Sequence, residues 1–202
     1  MSIIKKREQG GFAFLTVLIL IYLCSCVSGG IGNHSFFEKR PYAYLTNSAK
    51  YVLLAPEGIE KPMDMAQYIS ASYGGQDYFF NAWVKADETG MDIALFNELG
   101  AAMGDLSYRD GAVNFSSQVL PESLAPEYIV ADFQLCFYDP IPLGRALKKC
   151  GLTLETRGAG SSGTRRVLTG KNLVIEIEKT RDAIKLTNHL RGYSYTLKGD
   201  TV

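Results

Sequence analysis

From Tyr51 to Leu197 the chain is written in short runs in which apolar and polar residues alternate, and between the runs stand Gly, Asp and Asn. Tyr78, Phe80, Ala82 and Val84 share one parity, with Asn81 and Lys85 on the other; Met91, Ile93 and Leu95 alternate with Asp92 and Ala94. A period of two places successive side chains on opposite faces, so each run reads as a half-buried strand. Asp87-Glu88-Thr89-Gly90 and Arg109-Asp110-Gly111 separate consecutive runs by hairpin-length turns, which pair neighbours antiparallel. Further runs cover Gln67–Tyr73, Met103–Tyr108, Val113–Phe115, Leu152–Thr156, Arg165–Thr169, Leu173–Ile177, Ile184–Leu186 and Tyr193–Leu197.

One stretch changes period. Pro126–Tyr138 contains no Gly and sets Ile129, Phe133, Cys136 and Phe137 at helical spacing, with Pro126 in a first turn and Asp139-Pro140 as a stop. A shorter helix over Leu143–Cys150 ends at Gly151. The expected fold class is mostly β: a curved antiparallel sheet, or half-barrel, of about 9–11 strands covered by two or three helices. A sheet that large with short connections curls, and the inserted helices are the natural cover for its apolar concave face.

The N-terminus reads as an export signal. Lys5, Lys6 and Arg7 precede an apolar stretch from Phe12 to Leu23, broken only by Thr16. About twelve residues at 1.5 Å each span roughly 18 Å, short of a hydrocarbon core of about 30 Å. The stretch closes in Leu23-Cys24-Ser25-Cys26. It resembles the bacterial lipobox, with a leucine three residues before the cysteine and a small residue one before it. That resemblance implies cleavage after residue 25 and acylation of Cys26, with palmitate-type chains holding the mature protein on a membrane. Val27 is not the Asp that retains lipoproteins in the inner membrane under the enterobacterial rule, so the expected location is the periplasmic face of the outer membrane. The expected division is a signal peptide over 1–25, a lipidated cysteine and tether over 26–49 with Gly29, Gly30, Gly32, Asn33 and Pro41, and a folded domain over 50–202.

Composition narrows the function. With 21 basic and 21 acidic residues the formal charge is zero, and without a basic stripe nucleic acid is a poor partner. Only His34 and His189 are present, neither at metal-ligand spacing with a Cys or the other His, so no metal and no cofactor is expected. Gly158-Ala159-Gly160-Ser161-Ser162-Gly163 matches a dinucleotide-loop pattern in letters, but a strand-like run follows where a helix is required. No nucleophile–base pair appears, and no residue is expected to be catalytic. Asp132 is the one carboxylate in apolar surroundings, a position that can raise a pKa, with Arg165 or Arg166 as a candidate partner. Cys136 and Cys150 are the remaining thiols of the mature chain, either paired or separate and buried.

Ile93-Ala94-Leu95-Phe96-Asn97-Glu98-Leu99-Gly100, running on to Leu106–Val113, resembles the lipoprotein-localisation factor LolB, with likeness extending to Trp83 and to Asp182–Thr187. Glu98 stands where that family has a proline in the loop. Leu99-Gly100, Ala131–Leu135, Arg166-Val167-Leu168 and Gly192-Tyr193 also resemble an uncharacterised family of bacterial lipoproteins often encoded beside aryl polyene and fatty-acid-like biosynthesis genes. These resemblances imply a LolA/LolB-like half-barrel with an apolar cavity for acyl or polyene lipid or a lipoprotein's acyl chains, fed by a periplasmic carrier, and a protruding Leu99 that enters the membrane. Candidate cavity residues are Phe80, Trp83, Ile93, Leu95, Ile129, Phe133 and Leu135, although Trp83 shares its parity with Asn81 and Lys85. Two other expectations remain open: a structural lipoprotein whose sheet binds a partner protein, and a small lipid-modifying enzyme using Asp132.

Overall fold

A computed structural model describes residues 40–117, 125–159 and 162–199. The signal segment and Cys26 lie outside the described residues. Twelve strands and two helices follow in chain order: β1 (Tyr42–Tyr44), β2 (Lys50–Val52), β3 (Met63–Tyr73), β4 (Gln76–Asp87), β5 (Gly90–Phe96), β6 (Ala102–Arg109), β7 (Ala112–Ser117), α1 (Pro126–Phe137), α2 (Pro140–Lys149), β8 (Thr153–Ala159), β9 (Ser162–Thr169), β10 (Asn172–Lys179), β11 (Ile184–Asn188) and β12 (Tyr193–Gly199). A 3-10 turn at Pro56–Gly58 links β2 to β3.

β3 to β12 form one antiparallel sheet of ten strands in the order β7-β6-β5-β4-β3-β12-β11-β10-β9-β8, curved and unclosed. The expected mostly-β class and half-barrel with helical cover are therefore observed. Turn chemistry fixes the register. Gly74-Gly75 joins β3 to β4 with both residues at positive φ, and Asp110-Gly111 does the same between β6 and β7, the geometry whose twist matches paired strands. The chain joins the two halves of its sheet by pairing β12 with β3, Tyr193 opposite Tyr73 and Leu197 opposite Ile69.

One face of the sheet carries the core. Ala82, Val84, Ile93, Leu95, Leu106, Tyr108, Val167, Ile177 and Leu186 are buried, together with Val130, Leu135 and Cys136 of α1 and Leu143 and Leu147 of α2. The sheet thus wraps its apolar face around α1. Asp139 does more than stop that helix: its carboxylate accepts from Ile141 N at 2.7 Å and caps α2, which begins at Pro140 rather than Leu143. Gly151, at φ +82°, ends α2 as expected.

The stretch 42–49, expected as tether, is instead folded. β1 and β2 make a separate two-stranded hairpin, and Ala43, Leu45, Ala49 and Tyr51 are buried in the core. Pro41 and the glycines before it suggested flexible chain, but the alternate apolar residues after Pro41 seat the hairpin against α1 and outweigh them.

Candidate functional site

The helix at the centre of the half-barrel is fastened at its middle and its C-terminal end. Gln134 is fully buried, and its side-chain oxygen accepts from Tyr51 Oη at 2.9 Å and Leu54 N at 3.0 Å while its nitrogen donates to Leu54 O at 2.7 Å. Both the amide oxygen and the amide nitrogen are thus partnered inside the core, which a buried amide requires. At the end of α1, Arg165 of β9, 7 % exposed, donates to Leu135 O at 3.0 Å and Tyr138 O at 2.7 Å and pairs with Glu60 at 3.1 Å. A cation there satisfies carbonyls the helix leaves unpaired and complements its dipole.

Asp132 sits one face round from these fasteners. It is 8 % exposed and accepts from Tyr193 Oη of β12 at 2.7 Å. Burial pushes its carboxyl up to about 7, against the opposing pull of the Tyr193 hydrogen bond and the Arg191 charge. The same burial, with the Asp132 charge beside it, raises the Tyr193 hydroxyl far above its ordinary value. Arg165 and Arg166, the partners expected for Asp132, are committed elsewhere, Arg165 as above and Arg166 to Glu176 at 2.7 Å. The tyrosine escaped the sequence reading although parity held the clue: Tyr193, Tyr195 and Leu197 alternate, and their strand faces the helix. Arg191 donates to Tyr44 O at 2.6 Å and Tyr128 Oη at 3.2 Å and lies over the Tyr128 ring at 4.8 Å.

The candidate cavity residues divide into three sets. Ile93, Leu95, Phe133 and Leu135 are buried and packed between sheet and α1. Phe80 and Ile129 lie on the same apolar face but are only partly covered, as are Ile69, Met103 and Phe115 near them in the sheet. Trp83 is the correction: it is 51 % exposed on the outer face, where its indole donates to Asp64 at 2.8 Å. Its neighbours Ala82 and Val84 point inward, so a period of two leaves it no other side. A depression of about 330 Å³ runs along β5–β7, with Ile93, Leu106 and Phe115 among its lining residues.

Leu99 is 93 % exposed at the tip of the β5–β6 loop. The loop is stiff: Asn97 Oδ1 accepts from Leu99 N at 3.0 Å and Ala101 N at 2.8 Å, the Asn97 and Ala101 backbones bond at 2.9 Å, and Gly100 takes φ +81°. Antiparallel pairing puts this loop at the same end of the sheet as the Gly74-Gly75 turn and the β11–β12 turn, because Phe96 faces Asn81 and Tyr193 faces Tyr73. Tyr73, Tyr78 and Leu190, all exposed, lie toward that same end of the sheet, the β3–β4 hairpin running on beyond the Phe96–Asn81 pair. The turns of the opposite rim carry Asp87-Glu88, Arg109-Asp110 and Arg181-Asp182.

Cys136 and Cys150 are both free thiols; Cys136 is fully buried, and burial together with the Asp132 charge pushes it up to about 12. Among the described residues no group of three His, Cys, Asp or Glu is placed to hold a metal, and no helix is long and apolar enough to cross a membrane. One family model matches the chain, over residues 64–200, and its description is Protein of unknown function (DUF3261). No curated protein matches.

Proposed function

We propose a function for this chain as a member of the DUF3261 family, to which it belongs: a membrane-anchored lipoprotein with a LolA/LolB-like half-barrel that binds acyl or polyene lipid, or a lipoprotein's acyl chains, and delivers it to the outer membrane. The observation that carries this reading is the pairing of a curved sheet, apolar on the face that wraps α1, with a rim that displays Leu99 almost fully to solvent. Phe80, Ile129, Ile69, Met103 and Phe115 offer partly covered apolar surface where a chain can lie without displacing the packed residues behind them. Burying one Leu yields roughly 1.5–3 kcal/mol, enough for reversible contact with a bilayer and too little for anchoring. Anchoring falls to acylated Cys26. Transfer needs no covalent step: its direction comes from unequal affinities for the chain in donor, carrier and membrane.

The test is native mass spectrometry of the full chain released gently from its membrane. Co-purified lipid, displaced by added fatty acid, is the expected result. A protein that carries no lipid and takes up none from extract removes the basis of the carrier reading. A scaffold role has one observation in its favour, the outer-face aromatics Tyr68 and Phe79, stacked at 6.3 Å, with exposed Trp83 nearby on β4. Under that reading a bound protein, and no lipid, accompanies the chain.

A further inference from the structure

A carrier of bare hydrocarbon has no use for Asp132. The group is held inside the half-barrel at 8 % exposure, and its one hydrogen bond among the described residues is the one from Tyr193 to Oδ2. Among the described residues no ion pair reaches it. Arg191, whose charge it feels, directs its guanidinium to Tyr44 O and Tyr128 instead, while Arg165 and Arg166 pair with Glu60 and Glu176. A buried carboxylate without a cation is costly, and an apolar residue of similar size would remove that cost. Oδ1 accepts from no other described residue. Yet every wholly buried side-chain nitrogen or oxygen among the described residues has a hydrogen-bond partner. Oδ1 is therefore not wholly sealed in, and Ile129, one turn earlier on the same helix, is only partly covered.

We propose that Asp132 binds the polar end of the cargo, its free carboxylate oxygen accepting a hydrogen bond from a protonated amine whose apolar chain lies along Ile129, Ile69 and Phe80. The assignment rests on the carrier reading. Charge selects the amine: a carboxylate or phosphate is repelled by Asp132, and an alcohol makes the same hydrogen bond without charge assistance. Tyr193 positions the acceptor by occupying the other oxygen. The groups facing Asp132 are Tyr193 and Tyr195 from β12, Arg191 from the preceding turn and Cys136 from α1 itself. Arg191 is the one cation among them and its guanidinium is bonded to Tyr44 O and Tyr128 Oη, so an incoming ammonium would make the ion pair that Arg191 does not. Because burial holds the carboxyl near neutrality, amine binding favours its ionised form and strengthens as pH rises through about 7.

Three photoactivatable probes with the same dodecyl chain, ending in an amine, an alcohol or a carboxylate, are crosslinked to the full chain in its membrane, and labelling of residues 126–137 is read by peptide mass spectrometry. At pH 8 the amine is expected to label at least about tenfold more than the carboxylate, with the alcohol between them, and the preference shrinks at pH 5.5. Asp132→Asn brings the amine down to the level of the alcohol and raises the carboxylate, while Tyr193→Phe keeps the amine preference. Equal labelling of wild type by all three probes, or an amine preference that survives both Asp132→Asn and pH 5.5, overturns the assignment and leaves the carrier reading standing. No labelling by any probe overturns both.

Discussion

Leu99 and Asp132 break the usual placement of residue types in opposite directions, one a large aliphatic side chain in water and the other a carboxylate in a core. Leu99 makes no packing contribution that its loss would cost, because Asn97 and Gly100 build the loop beneath it. Leu99→Glu is expected to shift unfolding free energy by no more than about 0.5 kcal/mol in a denaturant titration, while abolishing association of the protein with added liposomes. A large loss of stability with liposome association intact would sink its membrane role. For Asp132 the sign runs the other way from an ordinary carboxylate. Its pKa rises from 3.8 to about 7 on folding, so the folded state binds the proton more tightly than the unfolded chain. Stability is fully present below about pH 4, falls as pH climbs toward 7 and levels off above it, a total of about 4 kcal/mol at most. Denaturation midpoints between pH 4 and pH 8 should trace that fall, and Asp132→Asn should flatten it. Sequence alone singled out both residues, Leu99 because a turn gains nothing from an aliphatic side chain and Asp132 because its helix neighbours are apolar. It misplaced Trp83, where aromatic character pointed inward and strand parity outward, and parity won.

At the scale of elements, period and turn chemistry located the ten strands of the main sheet and both helices to within a few residues. Local signals of this kind act within one strand or one turn, so they survive without knowledge of the fold. What joins elements is different. Arg165 reads in sequence as a candidate partner for Asp132, with nothing nearby to show that the end of α1 waits for it more than twenty residues upstream. Its role yields a prediction: Arg165→Met removes the donor to Leu135 O and Tyr138 O and leaves both carbonyls and Glu60 without that partner. The expected cost is about 3–5 kcal/mol in thermal or chemical unfolding, and Arg165→Lys recovers less than half of it, since one ammonium cannot span both carbonyls and the carboxylate. A cost under 1 kcal/mol would show that α1 is held without this clamp. Gln134 is likewise invisible in sequence, because its partners Tyr51 and Leu54 stand 83 and 80 residues away along the chain.

The described sheet is asymmetric along its strands: exposed Leu99, Leu190, Tyr73 and Tyr78 lie toward one end, interspersed with Glu98, Arg191 and Asp77, and the turns Asp87-Glu88, Arg109-Asp110 and Arg181-Asp182 lie at the other. Under the proposed anchoring, that asymmetry offers a preferred end to present to a bilayer. The proposed acylation of Cys26 is open to direct assay: metabolic labelling with a clickable fatty acid should mark the wild type and Cys24→Ser, and fail on Cys26→Ser. Equal labelling of all three proteins would refute Cys26 as the attachment point. The amide of Gln134 has a mechanical consequence. Its three hydrogen bonds, to Tyr51 Oη and to both backbone groups of Leu54, splice α1 to the chain that leaves the β1–β2 hairpin. Helix and hairpin are thereby one moving part. If cargo demands more room than the partly covered residues provide, the plug cannot swing out alone. Either the N-terminal hairpin travels with it, or the splice breaks and strands a polar amide in hydrocarbon, so the load that opens the half-barrel falls on the hairpin as much as on the helix.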